Sequence, residues 1–272
     1  MKKAIKILFV ALVLLFLYAP ILILTVYSFT DSTTIGAIRG FSLQNYVTLF
    51  TTEDLRNMIL GTIFLALGVA AISTVLGTIG AIGMFYSGKR MRTAISSVNQ
   101  IPVVNADVVT GFSICILLVV VLGISKDTYI PLVIGQVVLC TPFVLLSVLP
   151  RLQQIDPSCY EAAVDLGATP GMALRKIILP QLASGIVSGF SLAITLSLDD
   201  YFIATYTKPA TFDTISTYVV NATKGSQTDI KTALWALSTI IFVVVILIVV
   251  LMNLQARRGE HTLKSKTGRV GA

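Results

Sequence analysis

Three carboxylates sit inside strongly apolar stretches of the chain: Asp107, Asp199 and Asp200. No Lys or Arg shares those stretches. A charge in the hydrocarbon core of a bilayer costs several kcal/mol unless it is paired, neutralised or wet. The counter-charge must therefore come from another chain, from water or from a cationic substrate. The chemistry such a set supports is a cation path lined by carboxylates. Tyr201 and Phe202 directly follow the acidic pair. Their rings offer faces to an ammonium group, or equally an anchor at the membrane interface. Position alone also admits a structural reading. Asp199 and Asp200 would then cap or solvate a broken helix, and Asp107 would accept a hydrogen bond from a neighbouring helix.

Missing chemistry narrows the class further. The only histidine, His261, lies in the C-terminal tail, and no Cys/His spacing suits a metal. No Ser/His, His/Glu or metal-ligand constellation falls within the apolar stretches, which argues against an intramembrane protease or transferase. No catalytic and no metal-binding residue is assigned. Gly77-x-x-Gly80-x-x-Gly83 is not a phosphate loop, because no strand precedes it and no Lys-Ser/Thr follows. The chain has no Gly-x-x-x-x-Gly-Lys-Ser/Thr, so it does not read as an ATPase.

The elements that must position the acids are membrane spans. Of 272 residues, 55% are hydrophobic and 12% charged, with mean hydropathy +0.88, whereas a soluble domain is about 25% charged. The expected fold is all-α and integral to the membrane, one transmembrane domain over 1–272 with six spans at about 7–29, 57–86, 93–123, 129–149, 181–206 and 232–254. Each is long enough for a core of about 30 Å. The first follows Lys2, Lys3 and Lys6 like a signal peptide. It is too long for such a peptide's apolar region and lacks a small-x-small cleavage site, so it reads as an uncleaved span. Asp107 falls midway along the third span, beyond Pro102; Asp199 and Asp200 fall in the later part of the fifth. Gly, Ser and Thr punctuate spans two and five, as suits close helix packing or a pathway. Three cysteines, Cys115, Cys140 and Cys159, give no disulfide framework.

Six spans put both termini on one side. That side carries fourteen of the twenty Lys and Arg, and the other carries six. The positive-inside rule makes the richer side cytoplasmic. The net charge of +7 is thus accounted for by membrane orientation rather than by nucleic acid.

One polar interval, 151–180, also lies on the cytoplasmic side. Pro157 can open a helix, with Ser158 and Glu161 in its first turn. Gly167 stands where a helix-terminating glycine belongs. Thr169 and Pro170 then start a second short helix running to Pro180. Composition alone would make this an ordinary loop with an interfacial helix. The order Glu161-Ala162-Ala163, Gly167, Ile177-Ile178-Leu179-Pro180 resembles the EAA loop of ABC-importer permeases.

The likeness extends along the chain. Tyr18-Ala-Pro20-Ile-Leu-Ile with Ser28-Phe29, Asp107-Val-Val, Asp165-Leu-Gly-Ala, Arg175-Lys-Ile-Ile-Leu-Pro180 and Leu196-Ser-Leu-Asp199-Asp200 resemble the PotC-type permeases of spermidine/putrescine ABC importers. That resemblance implies the type I importer (MetI-like) permease fold and a place in the bacterial cytoplasmic (inner) membrane. It implies a complex with a PotB-like second permease, a PotA-like ATPase dimer that holds ATP and Mg, and a PotD-like external binding protein. The chain itself would bind no cofactor and no nucleic acid. Tyr160, Glu161, Ala162, Ala163, Asp165, Gly167 and Ala168 would couple to the ATPase, and Asp107, Asp199, Asp200 and Tyr201 would line a polyamine path. Related permeases for a thiamine-like cation, iron or an anion share the loop, so the loop gives no substrate. An anion would sit badly beside three acids.

Overall fold

The structure is a computed structural model and describes residues 2–30, 40–156, 158–224, 234–243 and 246. Its contacts divide the chain into two units, 1–56 with 219–272 and 57–218.

In the first unit, α1 (Lys2–Ser28) is an apolar helix whose side chains from Ile7 to Leu17 are mostly exposed, as suits a helix solvated by lipid. Tyr18 meets Phe242 with ring centroids 6.4 Å apart, and Tyr27 meets Trp235 at 5.5 Å. Those partners belong to α12 (Leu234–Val243), the described part of the sixth span; the remainder of that expected span lies outside the described residues. Beyond α1 the chain is clipped to α2 (Gln44–Thr51). The Asn45 side chain donates to the Ser28 and Thr30 carbonyls, each at 3.1 Å, and the Ser28 and Tyr46 hydroxyls lie 2.8 Å apart.

The second unit is built around α6 (Ile130–Leu152), with α3 (Glu53–Tyr86) and α9 (Leu179–Asp199) packed against it. Close approach explains the glycines. A Cβ on Gly77 would stand 2.7 Å from Val144, and one on Gly189 would stand 3.0 Å from the same side chain. Val144, Leu145, Val148 and Leu152 form a buried core with Val69, Ala81, Ile178 and Leu182. The α6 and α9 helices are antiparallel: Gly185 faces Ser147 and Arg151, and Cys140 faces the Ala193 carbonyl.

Two expected spans are broken. Span three is α4 (Lys89–Val104) followed by α5 (Asp107–Cys115) and a π-helical turn over Ile116–Val121, and its halves bend by 105°. The bend falls at Asn105–Ala106, which take extended backbone. Pro102 is not its site; that proline is carried inside α4. Span five also departs from a single rod. Its helix ends at Asp199, and α10 (Phe202–Thr207) begins after a break at Asp200–Tyr201.

The second helix of the 151–180 interval does not stop at Pro180. From α8 (Pro170–Ala173) the chain passes through a π turn, Leu174–Ile178, directly into α9. The Leu179 N–H bonds the Leu174 carbonyl, five residues back. That wider turn accommodates the Pro180 ring, which in a regular helix has no N–H to give and clashes with the carbonyl four residues earlier. Pro170 to Asp199 is therefore one helical run of 30 residues.

Candidate functional site

The acids predicted to act together occupy different environments. Asp107 opens α5, where its charge complements the helix N-terminus, and it is exposed. Asp199 ends α9 and is exposed. Asp200 is buried, with 7% of its surface open. Tyr201 is half-buried, its ring 5.2 Å from that of Phe202.

Asp200 is held by three groups from two elements. Its carboxylate accepts the Ile203 N–H and the Ala204 N–H, each at 3.0 Å. It also accepts the Gln136 amide at 3.2 Å. Gln136, fully buried on α6, accepts the Ser197 hydroxyl at 2.7 Å. The first turn of α10, the last turn of α9 and α6 thus share one polar knot. Gln136 lies six residues into α6, so the knot sits about 9 Å along that helix from its Ile130 end.

Glycines bring α5 to the same place. A Cβ on Gly111 would approach the Ile203 Cα to 2.9 Å, and one on Gly135 would approach the Ile203 side chain to 2.7 Å. Asp107 stands one turn before Gly111, within electrostatic reach of Asp200. Beyond α10, Lys208 pairs with Asp213 at 2.9 Å and closes a turn. The chain then returns to α3 and α9: the Ile215 N–H donates to the Thr62 hydroxyl at 3.1 Å, and the Ser216 hydroxyl donates to the Leu198 carbonyl at 2.7 Å.

Sequence reasoning missed Gln136 and Thr62. Gln136 had a signal, being an amide in an otherwise apolar run from Pro131 to Cys140. The part of the 207–231 loop that forms α11 (Ile215–Lys224) was also missed.

Pro157, expected to open the first helix of the polar interval, lies outside the described residues, while the Gly167 corner and the Thr169 cap form as expected. Asp156 precedes α7 (Ser158–Asp165), and its carboxylate accepts the Ser158 N–H at 2.9 Å. That backbone bond, helped by the Ser158 side chain, holds Asp156 below the usual carboxylate range. Gly167 turns the corner at φ +87°, in left-handed space that glycine enters without strain. The Thr169 hydroxyl caps α8 by accepting the Met172 N–H at 3.4 Å. Tyr160 is half-buried, 5.6 Å from the Tyr86 ring on α3. Glu161, Ala162, Asp165, Leu166 and Gly167 are exposed, Leu166 to 89%; Ala163 and Ala168 are half-buried.

Known proteins resemble this chain at both sequence and fold level. The permease PotC of the spermidine/putrescine transport system of Haemophilus influenzae is 32% identical over 93% of this chain and 96% of its own. PotI of the putrescine transport system of Escherichia coli K12 is 35% identical over 70% of each. The E. coli K12 spermidine/putrescine permease PotC is 28% identical over 96% of each. Among solved structures, a bacterial ABC transporter for import of the acidic polysaccharide alginate superposes with TM-score 0.73 at 21% identity, over 94% of this chain and 95% of that one. The fold is that of the type I ABC-importer (MetI-like) permeases, and several apolar helices make this a multi-pass membrane protein. Residues 73–260 match the model of the binding-protein-dependent transport system inner membrane components, and the chain belongs to that family.

Proposed function

We propose that this chain is one permease half of an ABC importer that moves polyamines across the bacterial cytoplasmic membrane. ATP is hydrolysed on separate ATPase subunits, a second permease completes the path, and an external binding protein delivers the substrate. Both termini and the Glu161 loop lie in the cytoplasm, in keeping with the charge asymmetry.

The observation that carries the substrate class is the pair Asp107 and Asp199. Both are exposed on membrane helices, and no Lys or Arg in the spans can neutralise them. Open carboxylates are too costly to face lipid. A wet path carrying a multiply charged amine gives them both solvent and a counter-ion, and the relatives named for spermidine and putrescine point to the same solute. Tyr201, two residues beyond Asp199, adds a ring face to such a path.

Coupling follows from the continuous helix. Tyr160 to Ala168 ride on the ATPase as it closes, and the Gly167 corner passes that movement to Pro170. The run from Pro170 to Asp199 is 30 residues, about 45 Å at 1.5 Å per residue. One continuous helix thus runs from the corner beside the ATPase contact to an acid of the path.

Uptake of labelled spermidine and putrescine by cells carrying the full system tests this. Wild type should accumulate both. Asp199→Asn and Asp107→Asn, at matched membrane levels, should each lose about tenfold or more, the scale of one charge-assisted contact. An inactive wild type would remove the polyamine claim; unimpaired mutants would remove the two acids from the path.

A further inference from the structure

Two adjacent carboxylates at the end of one helix invite a single role, yet their surroundings differ sharply. Asp199 is exposed on α9. Asp200 turns into the protein and, among the described residues, accepts from the Ile203 and Ala204 N–H groups and the Gln136 amide. We infer that Asp200 and Gln136 are positioning residues, a clamp that breaks span five and sets α10, while Asp199 alone of the pair meets the cation. The inference rests on the proposed polyamine path.

After Asp199 the chain leaves helical space at Asp200, whose ψ of 113° is extended. The N–H groups that open α10 lose their helical acceptors there. Asp200 supplies two acceptor oxygens to them, as Asp does at helix starts. Its third bond, from Gln136, ties that start to α6. Gln136 is itself oriented by the Ser197 hydroxyl, one turn before the break. With its donors so arranged, the Asp200 carboxylate has little left to offer a substrate. The break it fixes decides where Asp199 and Tyr201 project.

A cap and a charge respond differently to the same change. Asparagine caps helices about as well as aspartate. Asp200→Asn keeps an acceptor for one of the two N–H groups and, with the Gln136 amide turned over, a hydrogen bond to α6. Asp200→Ala removes all three bonds. At position 199 the opposite holds, because Asn keeps shape and loses the counter-charge.

The experiment uses the assembled importer, reconstituted with its binding protein, and compares Asp199→Asn, Asp200→Asn, Asp200→Ala and Gln136→Leu. Two readouts are taken: thermal unfolding of the complex, and spermidine moved per ATP hydrolysed. Asp199→Asn should melt with wild type and lose about tenfold in transport, the scale of one charge-assisted contact. Asp200→Asn should keep at least half of wild-type transport, while Asp200→Ala and Gln136→Leu melt earlier and lose most of it. Asp200→Asn as impaired as Asp199→Asn with unchanged melting would overturn the clamp, as would Asp200→Ala indistinguishable from wild type. If Asp200→Ala or Gln136→Leu does not assemble, the two Asp→Asn variants still decide. Should the wild type move no polyamine, the proposed function fails by itself, and the melting comparison still tests the clamp.

Discussion

At the scale of single residues, the site depends on where a side chain is missing as much as on where one is present. Gly111 lets α5 lie against the first turn of α10, and a Cβ there would stand 2.9 Å from the Ile203 Cα and 3.4 Å from its nitrogen. Backbone atoms cannot swing aside as a flexible side-chain tip can. Gly111→Ala should therefore cost roughly 1–3 kcal/mol, the usual range for overpacking. Gly83, also helical, has nothing within 4 Å of its ideal Cβ. Gly83→Ala should leave stability unchanged or slightly raised, because alanine is the better helix former. Thermal unfolding of the two variants at equal expression checks the contrast. Equal melting temperatures would mean that α5 and α10 separate freely and that Gly111 has no packing role.

At the scale of elements, α7, the Gly167 corner and the helix that follows can be compared with what their sequence predicts. The corner and the start of the second helix were legible because their causes are local: a glycine at φ +87° and a Thr169 cap. The end of the second helix was not, because a proline ordinarily ends a helix, and here the π turn over Leu174–Ile178 carries the chain through Pro180. The break at Asn105–Ala106 was not foreseen, whereas the one at Asp200–Tyr201 is the broken helix that the structural reading of Asp199 and Asp200 allowed. Asn105 and the pair Asp199-Asp200 were the polar marks in the sequence, and the Gln136 bond to Asp200 ties the second break to α6. The corner yields a prediction of its own. A β-branched residue at φ +87° is strained by roughly 1–2 kcal/mol or more, so Gly167→Val should displace α7 relative to Pro170. Insertion should persist while uptake falls severalfold and ATP hydrolysis continues without transport. Normal uptake per ATP would show that the corner does not carry coupling. Acid should not reproduce this loss near neutrality. Asp156 is held below its ordinary value, so its cap is fully present above the unfolded carboxyl range and fades only as pH falls through the lowered value.

At the scale of the whole molecule, orientation in the membrane decides whether the two ends of the Pro170–Asp199 helix face the partners proposed for them. The cysteines give a reporter without any engineering. Cys140 is buried and Cys115 half-buried, whereas Cys159 is exposed in the first turn of α7, beside the residues expected to meet the ATPase. Thiol reactivity follows exposure, so Cys159 should dominate labelling by a membrane-impermeant maleimide. Labelling should be strong in inside-out vesicles and absent in intact spheroplasts. Cys159→Ser should abolish it and so exclude a contribution from Cys115. Adding the ATPase should slow the reaction severalfold, because α7 would then be covered. Labelling from the outer face would invert the topology. It would put the corner on the side of the binding protein, and the positive-inside count would have misled despite fourteen cations against six. Cytoplasmic labelling that the ATPase does not slow would keep the orientation and move the docking surface away from α7.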